Sequence, residues 1–254
     1  MYSLGRACWI VRNLDGSPRR LAIFDEVVQK NIKIRFFYVI YEAAPLAAKG
    51  LLLWCYGLKC YLSLGWRAGA GAELACFASF PNEHLAIKHV LGHVEGLDSG
   101  NIAAAKSNCL RPDALRALPA YVGMGFRLLR LCRGLARRHH FLPACRVLCT
   151  ITYYARARRL LRLPGTKAVM ITNHYSPECL AIAAAAHRTQ KRVVFANHAN
   201  ATWETGFVPP LFSDLAAVTS QAVLDIYRRH TPREVKSVFI PLASAQRPMQ
   251  HQLN

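Results

Sequence analysis

The stretch 167-KAVMITNHYSPECLAIAAAAHRTQKRVVFANHAN-200 decides the fold. A short apolar run, Lys167 to Thr172, passes through Asn-His-Tyr-Ser into an alanine-rich run, Pro177 to Arg188. A second apolar run follows, Arg192 to Ala196, ending in Asn197-His198-Ala199-Asn200. Short apolar runs without alternation fit strands covered on both faces, and a helix between two of them is the crossover that parallel pairing requires. The alternation continues with a strand at Asp214 to Thr219, a helix at Ser220 to His230 and a strand at Val235 to Ile240. From Lys167 to Leu242 we therefore expect the closing part of an α/β, Rossmann-like parallel sheet flanked by helices.

Upstream, Leu74 to Phe80 is another apolar run, stopped by Pro81 and followed by a helix from about Asn82. Residues 35 to 62 are expected to be helical, and Gly65 to Gly71 forms a glycine-rich loop. Cys8 to Val11 and Leu21 to Phe24 are strand candidates on either side of the turn Asp15-Gly16-Ser17-Pro18. Arg111 to Leu163 is expected to be helical, broken at Pro119 and Pro143. The organisation expected is one domain over residues 1 to 245 with a basic helical insertion at about 106 to 163, then a tail at 246 to 254.

The 254 residues carry a net charge of +19, with 33 Lys and Arg against 14 Asp and Glu, and this excess calls for an anionic partner. Between Lys106 and Lys167 the only acidic residue is Asp113. On a helix, Arg127, Arg130, Arg133, Arg137 and Arg138 fall opposite Leu128, Leu129, Cys132, Leu135 and Ala136. Two readings stand: a solvated face on a core-packed helix, or attachment to anionic lipid. Phe36 to Leu64 is rich in Leu, Tyr, Trp and Cys, but Lys49 and Lys59 leave an uninterrupted run far shorter than the ~20 residues of a membrane span. It reads as a buried or interfacial helix. The nine cysteines include no CxxC pair, and their apolar settings suit small buried side chains in a reducing cytoplasm. No zinc or other metal site is indicated, and Met1 to Asp15 lacks the pattern of a signal peptide.

Open α/β sheets place their chemistry beyond the carboxyl ends of the strands. Three loops qualify. Ser79-Phe80-Pro81-Asn82-Glu83-His84 offers Ser79, Glu83 and His84 as substrate-binding residues. The loop after Thr172 offers Asn173 and Ser176, either of which suits the cap of the following helix, together with His174 and Glu178. The third offers Asn197, His198 and Asn200. With adjacent parallel strands ~4.8 Å apart, His174 and His198 are expected to open on one cleft. An imidazole suits removal of a proton from an attacking hydroxyl, with Glu178 or Glu204 as partner. His187, His139 and His140 read as solvated helix residues.

The succession Asn173-His174-Tyr175-Ser176-Pro177, the alanine-rich helix, Arg192-Val193-Val194-Phe195 with His198-Ala199, Pro209-Pro210 with Asp214 and Val218, and Val238 with Ile240-Pro241 resembles the end of the N-terminal domain of GT-B glycosyltransferases that build bacterial capsule and surface polysaccharides. The polysialyltransferase-like and CDP-glycerol-transferase-like groups are the nearest. The resemblance covers roughly residues 70 to 245. It implies a nucleotide-sugar donor, no other cofactor, and His198 as catalytic base, although Ala199 stands where the family carries glycine or proline. It also implies a lipid-linked acceptor glycan at the inner face of the cytoplasmic membrane and a second Rossmann domain for the donor, which is not found before Asn254, so that the expectation is a truncated or degenerate copy, a split enzyme needing a partner chain, or an acceptor-domain relative with another role.

Two readings from other classes stand beside it. Asn173-His174-Tyr175-Ser176 resembles the opening motif of glycerolipid acyltransferases, but the aspartate position of that motif is Cys179 here, with Glu178 one residue short. That offset turns a carboxylate by ~100° on a helix. The arginine-rich segment also suits nucleic acid, although aromatics are not interleaved with the arginines and no helix-turn-helix or zinc-finger spacing is present.

Overall fold

The structure is a computed structural model describing residues 3–67, 72–94, 102–106, 115–162, 165–197, 210–229, 231 and 235–240. Four helices come first: α1 (Leu4–Asp15), α2 (Pro18–Lys30), α3 (Ile32–Ala43) and α4 (Leu46–Ser63). The strands expected at Cys8 to Val11 and Leu21 to Phe24 are thus parts of α1 and α2. Ala7, Ile10, Val11 and Leu14 of α1 are buried, a spacing of three and four that belongs to a helix face. Ser3 caps α1 by accepting the Arg6 N–H, and Pro18 starts α2 at its first turn, where the missing N–H costs nothing. The helix expected over 35 to 62 is two helices, parted where Pro45 removes a backbone donor.

The sheet follows with β1 (Gly65–Arg67), β2 (Leu74–Phe77), β3 (Ile102–Lys106), β4 (Ala168–Ile171), β5 (Arg192–Ala196), β6 (Leu215–Val218) and β7 (Lys236–Phe239). Between them lie α5 (Pro81–Leu91), α6 (Leu118–Val122), α7 (Gly125–Arg138), α8 (Phe141–Leu160), α9 (Pro177–Arg188) and α10 (Gln221–Arg228). The strand order is β1-β3-β2-β4-β5-β6-β7, all parallel except β1, which pairs antiparallel with β3 at the edge. This is the α/β, Rossmann-like sheet flanked by helices that the sequence implies. The breaks expected at Pro119 and Pro143 fall just before them, at Arg116-Ala117 and His139-His140, because each proline sits in the first turn of the helix that follows, and a further break falls at Gly123-Met124.

The two faces of the sheet differ. Ala75, Phe77, Val169, Ile171, Val193, Phe195, Ala216 and Val218 join a large core with α9, α10 and the N-terminal helices. The opposite face, with Leu74, Cys76, Met170, Ala196 and Ala217, meets Ile87 and Val90 of α5. The helix α9 lies between sheet and helices, in contact with β4, β5, α8 and α1. Its residues from Cys179 to His187 are all buried, and a helix covered all round suits a sequence in which five of nine positions there are alanine. The short side chains let α8 approach it closely. Among the described residues no helix is long and apolar enough to cross a membrane.

Candidate functional site

The strand order places the crevice. From β2 the chain turns through α5 to β3 on one side, and from β4 it turns through α9 to β5 on the other. The two helices drop onto opposite faces of the sheet. The carboxyl ends of β2 and β4, paired side by side from Leu74↔Ala168 to Phe77↔Ile171, are therefore the topological switch point where such sheets bind ligands. The loops at 78–83 and 172–178 stand above it.

Both loops are shaped by the residues that the sequence marks for substrate. Glu83 is buried, and its carboxylate accepts the backbone N–H of Ser79 at 2.6 Å and of Phe80 at 3.3 Å. It locks the entry to α5. Asn173 is buried, and its Oδ1 accepts the N–H groups of Tyr175 and Ser176, each at 2.9 Å. Ser176 Oγ accepts the Cys179 N–H at 3.2 Å and caps α9. All three side chains are engaged in capping. Ser79 and His84 stand half-buried at the start of α5. Phe80, which the sequence reading passes over, is 59% exposed at the crevice lip and presents a flat apolar face.

His174 stands half-buried against aromatic rings: Tyr175 at 5.1 Å, Phe195 at 5.7 Å and Tyr227 at 4.8 Å between centroids, all edge-on. Tyr227 comes from α10, and burial pushes its phenol above the usual range. Glu178 points its charge into the helical layer, where it raises the Cys149 thiol and the Tyr153 phenol, both already raised by burial, and supports Arg146. Burial disfavours the Arg146 cation, but Asp15, at 2.7 Å from Nε, and Glu178 more than offset it. Arg20 of α2 approaches the Tyr175 ring to 6.0 Å. Asp15, Arg20 and Arg146 thus border the loop from elements far away in sequence, and no local pattern announces them.

Asn197 is buried at the end of β5 and its N–H donates to the Ala217 carbonyl, continuing the ladder to β6. The strands β4 and β5 are neighbours as expected, but His198, Asn200 and Glu204 lie outside the described residues. His187, expected to be solvated, is buried, with Nε2 3.1 Å from the Asp214 carboxylate; that carboxylate also accepts the Val193 N–H. The pair joins α9 to the amino ends of β5 and β6, opposite to the crevice. His139 is half-buried and His140 exposed. No cluster of side chains suited to a metal ion occurs among the described residues.

What fold and site define together is a Rossmann-like α/β chain with a crevice at its sheet's switch point. Comparison with protein-family models, with curated proteins and with solved structures gave no match.

Proposed function

We propose that this chain is the acceptor-binding Rossmann-like unit of a glycosyltransferase of bacterial surface-polysaccharide synthesis, working at the cytoplasmic face of a membrane. The observation that carries the reading is the crevice between β2 and β4, with Phe80 on one lip and the Asn173–Ser176 loop on the other. Sugar rings stack on exposed aromatic faces, and the net charge of +19 favours an anionic acceptor. His198 acts as base on the acceptor hydroxyl, and a second Rossmann unit, in this or another chain, holds the nucleotide-sugar. The acyltransferase reading has less support, because His174 packs on Phe195 and Tyr227 while the Glu178 charge acts on Arg146.

The test is calorimetric titration of the 254 residues with anionic oligosaccharide acceptors and, separately, with nucleotide-sugars. Saturable acceptor binding that Phe80→Ala abolishes is expected, with nucleotide-sugars bound weakly. Tight nucleotide-sugar binding by this chain alone would contradict the assignment of an acceptor unit. In a reconstituted transfer assay His198→Ala is expected to abolish turnover with the fold intact.

A further inference from the structure

A second concavity lies on different elements. Between α4 and α7 runs an open groove of about 650 Å³, lined by Leu46 and Phe126 and by Arg130, Arg133, Arg137 and Arg138. Its existence follows from close helix packing at one glycine: a Cβ on Gly50 would meet Arg133 Cγ at 2.5 Å and the Arg133 backbone N at 3.4 Å. With α7 seated there, Leu128, Cys132 and Leu135 turn into the core and the arginines turn outward. Arg130 lies over the Phe126 ring at 5.3 Å. Among the described residues none of the ion pairs involves these four arginines. Residues 115–162 contain no Asp or Glu that could neutralise them. Four adjacent guanidinium groups repel one another and are relieved by an anion, for which phosphate offers the best geometry.

Apolar surface surrounds this charge. Phe126 is 73% exposed, and α3, which leads into the groove through Ala44-Pro45, exposes Ile32, Phe36, Val39 and Ile40. Their spacing of four, seven and eight residues puts them on one face, while Phe37, Tyr38 and Tyr41 on the other reach Phe141 in the core. Lys33 and Arg35 flank the exposed face. A phosphate-sized basic site beside an apolar helix face matches a lipid, whose head and tail need both, better than nucleic acid, which needs no apolar helix face.

We propose that the α4–α7 groove seats the phosphate of an anionic membrane lipid while the exposed face of α3 lies in the bilayer interface. This docking surface stands independently of the glycosyl-transfer reading. The experiment is flotation of the full chain with vesicles of phosphatidylcholine alone or mixed with phosphatidylglycerol, helix content of each variant being checked by circular dichroism. Binding to the mixed vesicles only is expected. Arg133→Gln with Arg137→Gln is expected to lower partitioning about thirtyfold, from ~1 kcal/mol per basic residue at an anionic surface. Phe36→Ser with Phe126→Ser, which leaves the charge unchanged, is expected to lower it as well, and Arg133→Lys with Arg137→Lys to retain most of it. Equal binding to neutral vesicles, or full binding by the glutamine pair, overturns the proposal. Wild-type partitioning by the serine pair together with displacement from vesicles by duplex DNA also overturns it, and identifies a nucleic-acid surface instead.

Discussion

Arg146 of α8 donates its Nε–H to the Asp15 carboxylate at 2.7 Å, tying the end of α1 to a helix 131 residues further along the chain. Asp15 is 3% exposed, and its partner keeps about a third of its side chain in solvent. Breaking the pair from the acid side leaves a partly buried guanidinium short of a counter-charge. Asp15→Asn is expected to cost about 2 kcal/mol, below the range for fully buried pairs because Arg146 is partly hydrated. Urea titration checks it, and Arg146→Met in the Asp15→Asn background is expected to recover part of the loss.

Asn173 holds the crevice loop through two N–H groups at once. Asn173→Ala leaves both unsatisfied in a part-buried loop and is expected to cost about 1–2 kcal/mol, whereas Asn173→Asp keeps the acceptor and loses little. Thermal unfolding of the two variants distinguishes them. Equal loss in both would show that the loop geometry does not depend on that oxygen.

At Gly57 an added Cβ would stand 2.7 Å from the Tyr121 hydroxyl, which donates to the Trp54 carbonyl at 2.6 Å. Gly57→Ala is therefore expected to destabilise by about 1–3 kcal/mol through overpacking. In a double-substitution cycle Tyr121→Phe removes the obstructing oxygen and is expected to recover part of that cost.

His139 is expected to give the fold a pH dependence. Burial, followed by Arg12, Arg138 and His140, holds its imidazole below the usual 6.5. The unfolded chain then takes up a proton at higher pH than the folded one, so this contribution to stability is complete above 6.5 and is lost as pH falls toward the folded value. Urea midpoints at about pH 7.5 and about pH 5.5 are expected to differ less in His139→Gln than in the parent.

The cysteines are expected to divide by burial. Cys55 is exposed, whereas Cys60, Cys76, Cys132, Cys145, Cys149 and Cys179 are buried, and burial pushes the Cys76, Cys132 and Cys179 thiols up to about 12. Iodoacetamide near neutral pH is expected to label Cys55 in the native protein and these six only after denaturation, as peptide mapping would show.

The strands β4, β5 and β6 were legible because Val169–Ile171, Val193–Phe195 and Ala216–Val218 are unbroken apolar runs bounded by polar caps. The strand β3 was not, since Ile-Ala-Ala-Ala-Lys carries little strand propensity and owes its state to pairing on both sides. The strands expected near the N-terminus fail because two short apolar windows conceal a helical period visible only over the whole of α1. For the site, the sequence marks Glu83, Asn173 and Ser176 for substrate, and the structure shows the capping bonds that each of them makes. Short polar side chains at helix entries cap and bind with the same atoms, and only coordinates separate the two uses. That β2 lies beside β4 depends on which side each crossover takes, which no local pattern encodes.

The burial of α1 against α8 and α9 has a consequence for biogenesis. During synthesis Ala7, Ile10 and Val11 leave the ribosome well before the alanine helix that covers them exists, so an apolar stripe stays uncovered until the chain has been made as far as Arg188. Completion of this helical layer therefore waits for Phe141–Leu160 and Pro177–Arg188, and until then the stripe is exposed to aggregation.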